Sequence, residues 1–127
     1  MKVMALDFGA ARTGVAVSDP TGTIARPVGV VKGGDIARIV ELIREHGVER
    51  VVVGMPLTLR GQVGEQARET QAFMDDLSRA SGIEVVPFDE RFTTNLAEQM
   101  ASASAEEDAR AAAHLLSSYL TWSTGAA

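Results

Sequence analysis

Residues 2–8 read Lys2-Val3-Met4-Ala5-Leu6-Asp7-Phe8, a nearly unbroken apolar run that reaches a carboxylate at Asp7. Apolar residues at both parities mean a strand covered on both faces, so this segment belongs near the middle of a sheet. Gly9 and Gly14 bracket a turn, and residues 14–18 (GVAVS) read as a second strand. Asp19-Pro20-Thr21-Gly22 is a turn signal. A third, irregular strand follows over 23–31, and Pro27 within it points to an edge position or a bulge. Three strands joined by short turns make an antiparallel meander.

Beyond the meander the hydrophobic period changes. Ile36, Ile39, Val40 and Ile43 recur at helical spacing between Asp35, a suitable N-cap, and Gly47, a suitable C-terminal stop. Residues 50–54 (RVVVG) are a short buried strand. Residues 64–80 are a polar helix with Phe73, Met74 and Leu77 as its apolar stripe. Residues 83–88 (IEVVPF) are the last strand, running into Asp89-Glu90. Two helices complete the chain, over about 94–101 and 105–121, the second capped by Ser104-x-x-Glu107. The order β-β-β-α-β-α-β-α-α predicts a single α/β domain over 1–127, a mixed sheet flanked by helices on both faces.

The totals narrow the chemistry. With 127 residues and 46% hydrophobic residues, one core of ordinary size is expected. The absence of cysteine excludes thiolate metal sites, disulfides and thiol nucleophiles. No apolar run approaches the roughly 20 residues of a bilayer span, and no signal-peptide pattern opens the chain, so a cytoplasmic protein without membrane contact is expected. The formal net charge of −5 argues against a generic nucleic-acid coat protein, though not against an enzyme that gathers carboxylates around cations. Ten of its twelve basic residues are Arg, which can fork onto phosphate oxygens.

Three carboxylate positions stand out. Asp7 ends a strand placed mid-sheet, where a desolvated carboxylate costs several kcal/mol unless it is paired, hydrogen-bonded or metal-bound. Its plain alternative is a carboxylate accepting turn amides from residues 9–12. Asp89 and Glu90 end the last strand, and alternation allows only one of them to share the face of Asp7; the pattern does not choose. Asp108 stands in the first turn of the last helix, where a charge near the N-terminus is stabilising in itself. Asp108, Ala111, Ala112, Leu115 and Tyr119 nevertheless share one small, apolar side, which should pack closely on the sheet and carry Asp108 to the strand ends. Oxygen-only ligands of this kind suit Mg²⁺ or Mn²⁺. Two such ions about 4 Å apart would activate a water and stabilise the leaving oxygen of a phosphodiester. His46 and His114 offer no competing catalytic arrangement and are expected to be packing or surface residues.

Four segments together are similar to the YqgF/RuvX family of ribonuclease H-like proteins: residues 5–19 (ALDFGAARTGVAVSD), 53–57 (VGMPL) with Gly61 following, 89–94 (DERFTT), and Asp108 with Ala111, Ala112 and Tyr119. They occur in the family's order and at its spacing over essentially the whole chain. The resemblance implies a five-stranded ribonuclease H-like sheet, an acidic triad of Asp7, Glu90 and Asp108 as catalytic and metal-binding residues, and nuclease activity. It also implies a role in maturing the 5′ end of 16S ribosomal RNA, while some relatives are described as Holliday-junction resolvases. The expected partner is therefore a nucleic acid, structured RNA or branched DNA. A resolvase would act as a symmetric homodimer. Of the matching polar residues, Arg12 can reach a phosphate beside the metals, and Arg91, Thr93 and Thr94 lie just beyond Glu90. Thr94 at a helix N-terminus could bind phosphate through its amide and hydroxyl, or simply cap the helix.

One departure concerns substrate grip. Family members often carry basic residues shortly before the last acidic position, whereas here no Lys or Arg occurs between Arg91 and Arg110. Two other classes compete with the nuclease. Asp7-Phe8-Gly9 also fits the phosphate loop of ATP-binding proteins of the actin and sugar-kinase type, which need a second lobe that 127 residues do not supply. A nucleic-acid-binding module that kept the fold and lost catalysis is the other.

Overall fold

The computed structural model describes residues 1–9, 11–56, 64–89 and 105–123. Its elements are β1 (Val3–Asp7), β2 (Arg12–Ser18), β3 (Ala25–Lys32), α1 (Ile36–His46), β4 (Arg50–Met55), α2 (Glu65–Ser81), β5 (Glu84–Asp89) and α3 (Ala105–Ser123). The expected helix over 94–101 and the Ser104 cap lie outside the described residues. The five strands form one sheet in the order β3-β2-β1-β4-β5. β1 runs antiparallel to β2 and parallel to β4, so the apolar run at 2–8 is the central strand, as its two covered faces require.

Strand alternation divides the core in two. Met4, Leu6, Val15, Val17, Val51 and Val53 face α1 and α2, meeting Ile39, Leu42, Ile43, Phe73, Met74 and Leu77. Val3, Ala5, Ala16, Val52 and Phe88 face the other way, against Ala112, Leu115, Leu116, Tyr119 and Leu120 of α3. The sheet is thus mixed and flanked by helices on both faces. α1 begins where Asp35 accepts a hydrogen bond from the Arg38 amide, and it stops at Gly47, whose φ of 65° only glycine adopts at little cost. Pro27 sits in the edge strand at a bulge: Val15 pairs with Gly29 but Ala16 with Pro27, so one residue of β3 is left over.

Several boundaries differ from the sequence reading by one or two residues, and three of them have a visible cause. β2 begins at Arg12 rather than residue 14, because Arg12 and Thr13 pair with Lys32 and Val31 at the end of β3. β3 begins at Ala25 rather than 23, because the Asp19 carboxylate holds the amides of Thr23 (2.8 Å) and Ile24 (2.9 Å) in the preceding turn. β5 runs through Asp89, which pairs with Met55.

Candidate active site

Asp7 has the parity of Val3 and Ala5, so its side chain lies on the α3 face at the carboxyl end of the central strand. Its partner across the ladder is Gly14, which has no side chain to fill the space beside the carboxylate. On the other flank β1 and β4 pair Leu6 with Val53. One further step along this parallel register brings Gly54 beside Asp7, again without a side chain.

α3 is brought to this point by small residues. Ala5, Gly14 and Ala16 on the sheet face Ala109 and Ala112 on the helix, and Ala109, Ala111 and Ala112 of α3 are all buried. The approach is so close that a Cβ on Gly14 would stand 2.1 Å from the carbonyl oxygen of Asp108. The first turn of α3 therefore lies on β2, directly beside Asp7. Glu106 and Glu107 of the same turn are exposed, and Glu106 pairs with Arg110 at 3.1 Å. Asp108 is turned to the sheet, where its Oδ2 accepts from Arg12 Nε at 2.7 Å.

The electrostatics of the cluster follow from this packing. Burial under α3, and then the negative charge of Asp108, push the Asp7 carboxyl up from its ordinary value of 3.8 to about 6. The turn amides of residues 9–12, the plain alternative for Asp7, include that of Ala10, which lies outside the described residues. A partly buried carboxylate beside a second carboxylate is an arrangement that a divalent cation would stabilise. Both donors are hard oxygens, which fit Mg²⁺ or Mn²⁺. Among the described residues no group of three or more His, Cys, Asp or Glu side chains comes together. Glu90, the third carboxylate of the expected triad, lies outside the described residues, as do Arg91, Thr93 and Thr94.

Asp89, the alternative that sequence pattern left open, has the parity of Val85, which packs on the α1–α2 side. It therefore points away from the face of Asp7, whereas Phe88, of the opposite parity, packs on the α3 side. The carboxyl ends of the parallel strands β1, β4 and β5 all reach the same end of the sheet, where α/β proteins bind their ligands. Sequence reasoning missed one neighbour of the cluster. Lys32 is the cross-strand partner of Arg12 at the end of β3. Only the β2–β3 register, which the bulge shifts, could have revealed it. His46 ends α1 at the far end of the sheet and His114 stands on α3, so neither histidine joins Asp7 and Asp108.

Comparison with known proteins places the chain in a family. A protein of Chloroflexus aurantiacus provisionally named a pre-16S rRNA nuclease is 45% identical over 130 residues, covering 93% of this chain and 85% of that protein. A protein of Rubrobacter xylanophilus with the same name is 50% identical over 98 residues, covering 75% of this chain and 70% of its own length. In fold, the chain is similar to RuvC of Thermus thermophilus in complex with a Holliday junction substrate, with a TM-score of 0.65, 20% identity, and coverage of 98% and 97%. The ribonuclease H-like architecture expected from the sequence is the one found. Residues 1–122 match the family model described as RuvX: Holliday junction resolvase, and with these relatives the chain belongs to the RuvX family.

Proposed function

We propose that this chain is a divalent-metal-dependent endonuclease that hydrolyses phosphodiester bonds in nucleic acid, with 5′-end maturation of precursor 16S ribosomal RNA in the cytoplasm as its role. The observation that carries the reading is the juxtaposition of Asp7 and Asp108 on one face at the carboxyl ends of the parallel strands. The nuclease class is supported by membership in a family whose relatives carry that name.

Asp7, Asp108 and Glu90 would hold a pair of Mg²⁺ or Mn²⁺ ions. Bound there, the ions supply the charge that activates a water and stabilises the leaving oxygen. The chain's own residues do the rest. The α3 face covers Asp7 and keeps it dry enough to favour a cation over a solvated carboxylate. Arg12 holds the Asp108 carboxylate by its Nε, and its guanidinium carries further N–H donors that suit a phosphate oxygen. Arg91, Thr93 and Thr94 would bind the substrate on the side of Glu90.

The second reading, resolution of branched DNA by a homodimer, is favoured by the description of the family model. One experiment separates the two. A 5′-extended 16S precursor RNA, a four-way DNA junction and a linear duplex are incubated with the protein in Mg²⁺, in Mn²⁺ and in EDTA. Metal-dependent cleavage of the precursor near its mature 5′ end supports the ribosomal role, and symmetric cutting of the junction alone supports resolution. Binding of either substrate without cleavage would favour a catalytically silent nucleic-acid-binding module.

A further inference from the structure

Arg12 and Lys32 are directly opposite each other on neighbouring strands. Thr13 and Val31, one step along, are both buried, and Val31 lies on the α1–α2 side. Alternation then puts Arg12 and Lys32 together on the α3 side, as the ion pair of Arg12 with Asp108 requires. The end of β3 is held firmly. The Gly33 amide donates to the Ala11 carbonyl at 2.8 Å, and Thr13 Oγ1 donates to the Gly33 carbonyl at 2.7 Å. Lys32 thus projects from a fixed backbone, and its side chain is exposed. Like charges directly opposite each other are destabilising in a sheet. Asp108 partners Arg12, and among the described residues the Lys32 ammonium has no ion-pair partner.

Across this end of the sheet the α3 side therefore reads Asp7 on β1, Arg12 on β2 and Lys32 on β3. Asp7 is level with Gly14 and Val30, so at a strand spacing of about 4.8 Å and a rise of about 3.3 Å per residue Lys32 stands about 10 Å to the side of Asp7 and about 7 Å beyond it along the strands, roughly 12 Å away between backbones. A nucleic-acid strand with its scissile phosphate at Asp7 and Asp108 would present a neighbouring phosphate to that flank. We infer that Lys32, together with Arg12, grips the phosphate next to the scissile one, so that the substrate strand leaves the site across β2 toward the β3 edge. This rests on the nuclease reading for the position of the scissile phosphate. It also supplies a cation from β3 where the segment between Arg91 and Arg110 contains none.

The test is equilibrium binding of a labelled single-stranded RNA oligonucleotide over a range of KCl at constant Mg²⁺, in an Asp7→Asn parent. Adding Lys32→Gln should weaken binding several-fold and lower the slope of log affinity against log salt by about 0.7, one phosphate contact on a single strand. Lys32→Arg should restore both. Lys2→Gln removes the same charge at the opposite end of the sheet and should change neither. Equal affinity and slope in Lys32→Gln and Lys2→Gln would overturn the inference, as would a parent that binds no RNA. Cleavage by the wild-type protein is scored alongside. Cutting without a Lys32 effect removes this inference and leaves the nuclease. A Lys32 effect without cutting keeps the phosphate grip and removes the nuclease.

Discussion

Gly14 lies so close beneath the first turn of α3 that a single added carbon would meet the Asp108 carbonyl at 2.1 Å. The atoms in the way are backbone, so they cannot swing aside. Gly14→Ala must push the helix off the sheet and carry the Asp108 carboxylate away from Asp7. Overpacking of this kind costs about 1–3 kcal/mol. The expected result is a lower urea midpoint together with loss of metal-dependent cleavage. Gly47→Ala, which forces a side chain into the left-handed cap of α1 at the far end of the sheet, should cost about 1 kcal/mol and leave cleavage intact.

Asp7 gives the metal-free protein a pH dependence whose sign is opposite to that of a salt-bridged acid. Its folded-state value is about 6 against an ordinary 3.8, so between these values the native state binds the extra proton. Stability in EDTA should therefore fall as pH rises from about 4 to 6, by on the order of 1–3 kcal/mol from this group. Asp7→Asn should remove that component and be the more stable protein at pH 7. Urea midpoints across pH for both proteins in EDTA check this. A wild-type midpoint that rises over the window relative to Asp7→Asn would show that the carboxylate is stabilised, not strained.

The elements legible in the sequence were those whose signals are local or periodic. The run at 2–8 needed two covered faces and became the central strand; Asp35 and Gly47 bounded α1; Pro27 marked an edge strand with a bulge. Of the side shared by Asp108, Ala111, Ala112, Leu115 and Tyr119, the residues Ala112, Leu115 and Tyr119 pack on the sheet and Ala111 is buried. What stayed hidden depends on register between distant segments. In the sequence Arg12 falls in the turn bracketed by Gly9 and Gly14, and nothing near it shows its pairing with Lys32. Choosing between Asp89 and Glu90 needed the family resemblance, because alternation without a fixed register says only that they differ. The structure places Asp89 on the face away from Asp7.

Tyr119 is a structural counterpart to the acids on α3. Its hydroxyl accepts from Arg50 Nη1 at 3.0 Å, Arg50 also pairs with Glu84, and its ring meets Phe88 edge-on. Tyr119→Phe keeps the ring contact and removes the hydrogen bond. A loss of about 1 kcal/mol in unfolding free energy is expected, with cleavage unchanged. Reduced cleavage at unchanged stability would mean that this cluster acts on the substrate rather than on the fold.

In the proposed site Arg12 would serve both Asp108 and the substrate. Its ion pair with Asp108 is part-exposed, so removing it should cost at most about 1 kcal/mol of stability. Its effect on substrate should be larger. Arg12→Ala is expected to raise the dissociation constant for RNA by about tenfold, and Arg12→Lys to recover only part, because an ammonium cannot hold Asp108 and a phosphate through one planar fork. Filter binding at fixed salt, beside thermal unfolding, distinguishes this from a residue that only steadies α3.

The central claim is that Asp7 and Asp108 act as one metal-dependent centre. The most direct measurement is the cleavage rate of the preferred substrate against Mg²⁺ concentration for wild type, Asp7→Asn and Asp108→Asn, with substrate binding measured in parallel. The predicted result is a rate that requires the metal and falls by on the order of a hundredfold or more in each variant, beyond the loss typical of residues that merely support a ligand, while RNA is still bound. Cleavage that persists in either variant, or that proceeds in EDTA, would contradict the account.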